Sequence, residues 1–209
     1  SNGNRTMFFS LWFKSLDDKN AKRIIDGVPK EFKYYLESIR KLKKYTLNES
    51  EEKIINIKDT TGTDAVHKLY EIITNDFTFN LKIKNKKGLT RDQLTTYVKD
   101  SNPKVRKAAY QEMYKVYSKY SDVLNEIYRN RVLDWKNENV NLRKFKSSIA
   151  VRNVSNDVSD KAIQTLLNVC KKNRKVFQDY FKLKAKICKI KNITRYDIYT
   201  YYSTKSKKY

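Results

Sequence analysis

Apolar residues recur along most of the chain with the spacing of an α-helix. The clearest start signal is Asn102-Pro103, a capping side chain followed by proline in the first turn of a helix. Between Val105 and Trp135 the apolar positions keep helical spacing without Gly or Pro, which predicts one helix of about 35 residues and about 50 Å. Ser159 is expected to cap a second long helix that reaches Cys188. The pattern therefore predicts a bundle built on two long helices.

Shorter helices are predicted around these two. Residues 7–16 are apolar and aromatic, which predicts a buried helix. Gly62 is expected to end one helix, and Glu51 and Glu52 lie where acidic side chains favour a helix start. A polar, β-branched stretch at residues 147–158 is expected to be a connector. The residues expected to cap or begin the shorter helices are, in chain order, Asp17, Pro29, Asn48 or Ser50, Thr63 and Thr90.

One segment, residues 77–83, alternates apolar and polar positions and gives the one strand pattern in the sequence. A lone strand leaves its backbone edges unpaired, so it forms a small ribbon or pairs with sequence outside this chain. The predicted fold class is therefore all-α, a long-helix bundle with one short β-strand or ribbon near residues 77–84. We expect one helical lobe over residues 1–209, with a first half at 7–84 and a second half, carrying the two long helices, at 89–209.

Composition supports a folded helical chain. The 209 residues include only 4 Gly and 2 Pro, whereas sheet proteins need turn residues at short intervals. Lys and Arg number 46 against 23 Asp and Glu, and the formal net charge of +23 attracts polyanions. The Lys residues are scattered along the chain and are enriched together with Asn, Ile and Tyr, as an AT-rich genome produces. We therefore favour a compositional origin of the charge over dedicated nucleic-acid binding.

The basic segment 171–195 carries aromatic residues between its Lys and Arg side chains. Such a pattern binds single-stranded nucleic acid when phosphates meet Lys and bases stack on exposed rings. Phe177 and Phe181, however, fall on the apolar stripe of the second long helix, so packing in the core is favoured. A basic helical nucleic-acid-binding module is kept as the alternative function, and nucleic acid is not the expected partner.

Two cysteines, Cys170 and Cys188, lie on the same apolar stripe. In one continuous helix they are about 27 Å apart, and a disulfide needs Cα atoms within about 7 Å. We expect buried free thiols, which fit a reducing compartment. No run approaches the ~20 apolar residues of a membrane span, and no signal peptide is visible. The expected location is the cytoplasm, away from membranes.

The histidine content restricts the chemistry. His67 is the one histidine, so no zinc motif of the HExxH kind exists in the chain, and no Cys/His cluster has zinc spacing. No Gly-rich phosphate loop and no GxSxG motif is present. Asp64 and Glu71 share a helix face with His67, which suits a metal site but also an ordinary exposed ion pair worth roughly 0.2–0.5 kcal/mol. We favour the ion pair, and predict no catalytic residue and no metal ligand in this chain.

Five stretches of the sequence are long enough to be diagnostic together. They are EEKIINIKDTTG (51–62), NPKVRKAAY (102–110), YRNRVLDWKNENVNLRKFKSSIAVRN (128–153), VFQDYFKLKAK (176–186) and RYDIYTYY (195–202). In this order they resemble oligoendopeptidase F, and more closely its archaeal-type branch, in the thimet-oligopeptidase group of zinc metallopeptidases. The resemblance extends over nearly the whole chain and concerns the region ahead of the catalytic part of that family.

The resemblance implies an all-helical, two-lobed enzyme that closes around a deep channel and hydrolyses short peptides. Its single zinc would be held by the two His of an HExxH motif and a downstream Glu, with the motif Glu as general base. The present sequence stops before that motif. We therefore expect a fragment, the channel-forming and non-catalytic lobe of a larger peptidase. It should be inactive alone and hold no cofactor, and its partners should be the missing zinc-bearing catalytic lobe and short peptides.

No catalytic or metal-binding residue of the family is carried onto this sequence. The residues expected nearest the substrate channel are Tyr196, Asp197 and Tyr199, in the closing RYDIY segment. A further possibility is a helical scaffold that contacts another protein. Such a scaffold would expose a large apolar patch on its surface, and a separated enzyme lobe would expose one as well.

Overall fold

A computed structural model describes residues 2–200 of the chain, and the side chains from residue 8 onward. The described residues form α-helices joined by short turns, together with one two-stranded antiparallel ribbon. The all-α class and the ribbon near residues 77–84 are thereby confirmed. In chain order the elements are α1 (Asn2–Ser15), α2 (Asp18–Gly27), α3 (Lys30–Lys41), α4 (Glu49–Thr61), α5 (Thr63–Asn75), β1 (Phe79–Leu81), β2 (Lys86–Leu89), α6 (Arg91–Val98), α7 (Pro103–Ser118), α8 (Ser121–Lys136), α9 (Ser148–Ser155), α10 (Asp160–Lys172) and α11 (Arg174–Ile187).

Predicted capping residues begin several of these helices. Asn48 accepts the backbone N–H of Glu51, whose side chain accepts the N–H of Asn48, and Thr90 forms the same reciprocal box with Gln93. Asn102 caps α7 directly ahead of its proline. Each cap satisfies backbone donors that the first turn of a helix leaves unpaired. The predicted starts at these three positions are confirmed.

The first of the two predicted long helices is not continuous. It is divided into α7 and α8 at Lys119-Tyr120, where the Tyr120 N–H donates to the Tyr117 carbonyl at 3.0 Å and tightens the last turn. The rings of Tyr117 and Tyr120 pack on Phe77, with centroids 5.0 and 4.6 Å away. Packing of these rings on Phe77 therefore accompanies the end of the helix, without Gly or Pro.

The second predicted long helix is also divided, at Asn173 between α10 and α11. The Asn173 side-chain amide donates to the Val169 carbonyl at 2.8 Å, a local bond of the kind that competes with the helical pattern. Ser159 caps α10 as predicted, since its hydroxyl accepts the Ala162 N–H at 3.1 Å. Cys170 and Cys188 therefore do not share one continuous helix, although both are free thiols as predicted.

The segment predicted as a connector, residues 147–158, contains α9. The Ser147 hydroxyl accepts the Ala150 N–H at 3.3 Å and begins this helix. A polar residue interpreted as part of a loop is thus a helix cap. The chain that connects α8 to α9 is a π-helical turn, Asn137–Leu142, followed by residues 143–147.

The chain forms two compact units, whose boundaries fall inside α5, α8 and α10. The first unit takes the residues up to Lys68 together with Ile127–Leu166. The second takes Leu69–Glu126 and the residues from Leu167 onward. The two units therefore alternate along the sequence. The division into a first half at 7–84 and a second half at 89–209 stays a prediction.

The first unit is packed around two apolar clusters. Phe13 of α1 is fully buried and shares a cluster with Leu36 and Ile39 of α3. In the other cluster Phe145 stacks on Tyr45, with ring centroids 3.5 Å apart. The first cluster joins the N-terminal helices, and the second fixes the segment between α8 and α9 against the end of α3.

The second unit is packed around the ribbon, α6 and α7. Phe79 and Leu81 of β1 point to the same side because they are two residues apart, and both are buried. They share a cluster with Leu94 of α6 and Ala109 of α7. β1 pairs antiparallel with β2, and Gly88, at φ 64°, adopts the left-handed conformation that glycine tolerates.

Several segments predicted to be buried are exposed. In α1, Phe13 is buried but Phe8 is 69% exposed. Within the described structure no residue of α10 is buried, and in α11 the buried side chain is Lys184. Phe177 and Cys170, both expected in the core, are exposed. Helical periodicity therefore predicted where the helices lie but not which of their faces are covered. Among the described helices, none combines the length and hydrophobicity that a membrane span requires.

Candidate functional site

The predicted channel residues belong to a tight turn in the second unit. Arg195–Asp197 form a 3₁₀ turn that Thr194 caps. The Thr194 N–H and hydroxyl both donate to Oδ2 of Asp197, at 2.9 and 2.7 Å. The Asp197 N–H in turn donates to the Thr194 carbonyl at 3.0 Å, so side-chain and backbone bonds between the same two residues fix the turn from within. The structure thus brings Tyr196 and Asp197 into one ordered turn.

A buried arginine of α7 holds this turn in place. Arg106 is 1% exposed, and its Nη2 donates to Oδ1 of Asp197 at 2.5 Å. Its Nη1 donates to the carbonyls of Asp100 and Ser101 at 2.8 and 2.9 Å, and its Nε to the Tyr196 carbonyl at 3.2 Å. Buried ion pairs persist when further hydrogen bonds satisfy the remaining donors and acceptors. We call this arrangement the Arg106 clamp.

The clamp keeps the carboxylate of Asp197 ionised. Burial alone would raise the pKa of Asp197, but the hydrogen bonds from Arg106 and Thr194 outweigh it and hold that pKa below its ordinary value. Both carboxylate oxygens are occupied by protein donors. Asp197 therefore acts within the turn, as a residue that positions its neighbours.

The two tyrosines of the turn have different surroundings. Tyr196 is half-buried, and its ring packs edge-to-face with that of Tyr110, with centroids 5.6 Å apart. Tyr199 is 53% exposed. The Arg195 guanidinium lies 5.8 Å from the Tyr199 ring and 5.9 Å from the Tyr110 ring, distances at which a cation and a ring attract each other. Of the three predicted residues, Tyr199 is the one whose side chain is open to a ligand, and a channel at this position stays a prediction.

Two buried cations that support the turn were missed at the sequence level. Besides Arg106, Lys184 of α11 donates from Nζ to the Ile198 carbonyl at 2.5 Å. Arg106 falls in register with Ala109, Tyr110 and the rest of the buried face of α7, three and four residues apart. An arginine on an apolar helix face was the available signal, since unpaired arginine is rarely buried.

A second polar cluster lies in the first unit. Arg143 binds Glu52 with both arms of its guanidinium, at 2.6 and 2.9 Å, and donates from Nε to Glu138 at 2.7 Å. These bonds raise the pKa of Arg143. Burial would raise the pKa of Glu52, but the Arg143 hydrogen bonds and the Leu47 N–H bring it below its ordinary value. Glu51 serves the start of α4 as predicted, since its side chain accepts the N–H of the cap residue Asn48. Glu52 joins α4 to the segment after α8.

Acidic side chains converge beside that cluster. Oxygen atoms of Asp59, Asp134 and Glu138 lie within 4.8 Å of one another, the one such group of potential metal ligands among the described residues. The pKa of Asp59 is raised, chiefly because the carboxyl is partly buried and secondly because the negative charge of Glu138 is nearby. Asp134 already accepts the hydroxyl of Thr63 at 2.7 Å. The group offers oxygen alone and does not include His67, so it differs from the imidazole-rich set of hydrolytic zinc.

The helices α10 and α11 expose apolar side chains in the second unit. Eight of them are between 36% and 63% exposed. Exposed apolar groups in this number are typical of a surface that another segment or protein covers. We call them the α10–α11 apolar set; they are Leu167, Val169, Val176, Phe177, Tyr180, Phe181, Leu183 and Ile187.

Known sequences match the chain along its length. The profile of the family described as Oligopeptidase F matches residues 12–79, and that of Peptidase family M3 matches residues 96–209. An oligoendopeptidase F homolog of Borreliella burgdorferi is 27% identical over 200 residues, which cover 94% of this chain and 33% of the relative. Oligopeptidase PepF of Bacillus subtilis is 24% identical over 194 residues, which cover 88% of this chain and 28% of the relative.

A solved structure shares the fold. The crystal structure of oligoendopeptidase-F from Enterococcus faecium matches with a TM-score of 0.77 at 18% identity, over 94% of this chain and 40% of that chain. The present chain spans about a third of the length of the curated relatives it matches. At this identity the structural match shows a shared fold.

Proposed function

The chain belongs to peptidase family M3, and we propose that it forms the channel-forming, non-catalytic lobe of a zinc-dependent oligoendopeptidase that hydrolyses short peptides. The assignment to this family rests on the profile match over residues 96–209. The substrate class rests on relatives named oligoendopeptidase and oligopeptidase. Because the chain spans about a third of those relatives, the proposed activity is that of the whole enzyme.

The residues of this chain do not fit the zinc site itself. Hydrolytic zinc of this class takes two imidazoles and a carboxylate, and His67 is the one histidine. The acidic group at Asp59, Asp134 and Glu138 supplies oxygen ligands alone. The metal and the general base are therefore assigned to the partner lobe, while this chain supplies a wall of the channel and orients the substrate.

The α10–α11 apolar set is the observation that carries the partner assignment. Eight apolar side chains on two helices are left in water, at an unfavourable ~25 cal/mol per Å² of apolar surface. Burying them against the remaining part of the same polypeptide removes that cost. The proposed partner is therefore the zinc-bearing catalytic lobe, which would pack against the exposed apolar side chains of α10 and α11.

The turn held by the Arg106 clamp supplies the proposed substrate contact. Asp197 and Arg106 fix the backbone on both sides of Tyr196, and Lys184 fixes the Ile198 carbonyl. A side chain on a backbone held this firmly is pre-organised, which lowers the entropic cost of binding. Tyr199 is proposed to contact the peptide, with Arg106 and Asp197 as positioning residues.

The first experiment examines the chain by itself. Metal analysis of the purified protein and a quenched-fluorescent peptide assay, with and without a chelator, measure zinc content and turnover. We expect no stoichiometric zinc and no cleavage. Chelator-sensitive hydrolysis by the 209-residue chain would contradict the assignment of a non-catalytic lobe.

The second experiment examines a longer polypeptide that includes the residues encoded after Tyr209. We expect an HExxH motif, chelator-sensitive cleavage of short peptides, and no cleavage of folded proteins. In that enzyme Tyr199→Ala should raise KM for the peptide about tenfold while zinc content is unchanged, because the substitution removes binding and not the metal. Tyr35→Ala, at an exposed tyrosine of α3 outside the turn, is the matched control and should leave KM unchanged.

A second candidate function is favoured by one observation. Phe177 and Phe181, whose expected burial argued against nucleic-acid binding, are exposed, as is Tyr180. Lys175 and Lys182 lie on the same helix. Exposed rings among lysines suit single-stranded nucleic acid. Binding would then weaken with a log–log salt slope of about −0.7 per phosphate contacted. Absence of oligonucleotide binding at about 150 mM salt would exclude this candidate.

A further inference from the structure

An open groove separate from the Arg106 clamp runs between α8 and α9 in the first unit, with a volume of about 610 Å³. Its apolar walls come from both helices, and Val132 of α8 and Ile149 of α9 are 46% and 58% exposed. Its cationic side chains are Arg131, Lys136 and Arg152. The groove therefore combines exposed apolar surface with three positive charges.

Helical spacing explains how these side chains come together. Tyr128, Arg131, Val132 and Trp135 are three and four residues apart, which places them on one face of α8. Trp135 packs against the buried cluster around Phe145, so that face is anchored beside α9. The groove is thus built from two helices on a common core.

The three cations have no carboxylate partner in the part of the chain that the structure describes. No Asp or Glu oxygen of the described residues lies within 4.0 Å of the charged nitrogens of Arg131, Lys136 or Arg152. The Arg152 guanidinium instead lies over the Trp135 ring, 4.7 Å from its centroid. This cation–π contact holds the guanidinium at the ring while its N–H groups can still donate to a ligand.

These features identify the chemistry of a ligand. A planar guanidinium donates two parallel hydrogen bonds to a carboxylate, and the exposed Val132 and Ile149 favour a bulky apolar group beside it. Nucleic acid fits less well, because single strands stack on successive open rings. Here the Arg152 guanidinium already lies over the Trp135 ring, so among the described residues Tyr128 is the one lining ring without a stacked partner.

We propose that the α8–α9 groove binds a peptide segment that carries carboxylates next to a bulky apolar side chain. The N–H groups of Arg152 donate to one carboxylate of the peptide, and Arg131 and Lys136 bind the carboxylates of neighbouring peptide residues. The apolar side chain of the peptide lies between Val132 and Ile149. The proposal does not depend on the peptidase assignment, since it uses none of the residues of the clamped turn. The proposed partner of this basic groove is thus an acidic peptide.

The experiment measures fluorescence anisotropy of two labelled peptides with the 209-residue chain at about 150 mM salt, where long-range attraction is screened. The first peptide, EELEFEDLE, carries carboxylates between apolar residues; the second, QQLQFQNLQ, replaces them by amides. Replacing the three groove cations together (Arg131→Gln, Lys136→Gln, Arg152→Gln) should weaken binding of the acidic peptide at least about tenfold. Ile149→Ser should weaken it about fivefold.

A matched control separates the groove from the general positive field of the chain. The substitutions Lys171→Gln, Lys172→Gln and Arg174→Gln remove the same charge from exposed positions on α10 and α11 and should change affinity less than about twofold. Equal loss in both triple variants would overturn the proposal, as would equal affinity for the amide peptide. So would an oligothymidylate probe that displaces the peptide and depends on the same three cations. Circular dichroism confirms that each variant is folded.

Discussion

Helices α7 and α11 have similar lengths, 16 and 14 residues, and both carry Lys and Arg among apolar positions. Yet α7 buries a full face against the ribbon and α6, while the buried side chain of α11 is Lys184. Apolar residues at helical spacing therefore specify a face that is able to pack. Whether the face is covered depends on the rest of the molecule.

The two helices nevertheless share one task. Each sends a buried cation to the same turn, Arg106 to Asp197 and Lys184 to the Ile198 carbonyl. In α7 that cation sits within a complete core, whereas in α11 it sits beside the exposed α10–α11 apolar set. The polar support of the turn is thus complete in this chain, and the apolar cover of α11 is not.

The largest effect is expected from Arg106→Gln. The substitution leaves Asp197 buried without its charge partner, and breaking such a pair costs about 3–5 kcal/mol. The free energy of unfolding, from urea denaturation followed by circular dichroism, should fall by that amount. The double variant Arg106→Gln/Asp197→Asn removes the buried charge and should recover part of the loss. No recovery would mean that packing of the arginine stem, and not the charge, carries the stability.

A smaller loss is expected from Lys184→Met, the equivalent change in α11. Methionine retains an apolar stem but leaves the Ile198 carbonyl without its donor, which costs about 1–3 kcal/mol. The same urea titration measures it. Lys182→Met, at an exposed position of the same helix, is the matched control and should be nearly neutral. A loss as large as that of Arg106→Gln would show that the two cations support the turn equally.

Acid titration distinguishes the charge of the clamp from its packing. The folded-state pKa of Asp197 lies below its unfolded value of about 3.9, so its contribution to stability is present above that pH. The contribution is lost as the pH falls through the folded-state pKa. Asp197→Asn should therefore reduce the pH dependence of the unfolding free energy below about pH 4. Identical slopes in both proteins would show that the carboxylate is not ionised in the turn.

Local signals predicted the helices better than their ends or their burial. Caps at Asn48, Thr90 and Asn102 were found because a side chain and a backbone N–H three or fewer residues away decide them. The breaks at Tyr120 and Asn173 were missed. The first coincides with ring packing on a distant phenylalanine, and the second with a side-chain bond that composition does not reveal.

The candidate site was predicted only in part, for a similar reason. The RYDIY segment was selected by resemblance, and the structure orders it into one turn. The residues that hold the turn lie outside it: Lys184 is 14 positions from its partner Ile198, and Arg106 contacts Asp197 across 91 positions. A pairing over that distance follows from the tertiary fold. The arginine on an apolar helix face was the one local sign that such a partner exists.

The smallest effect is expected from polar substitutions in the α10–α11 apolar set. Phe177→Ser and Leu183→Ser remove side chains that are already 56% exposed, so the unfolding free energy of this chain should change by less than about 0.5 kcal/mol. Val105→Ala, in the covered face of α7, is the matched core control and should cost about 1–3 kcal/mol through the cavity it leaves. In a longer polypeptide that supplies the proposed partner lobe, the order should reverse for Phe177→Ser, because burial there would make the lost ring costly. A large loss of stability from Phe177→Ser in the 209-residue chain itself would mean that α11 is covered by this chain, and would remove the main support for a missing partner.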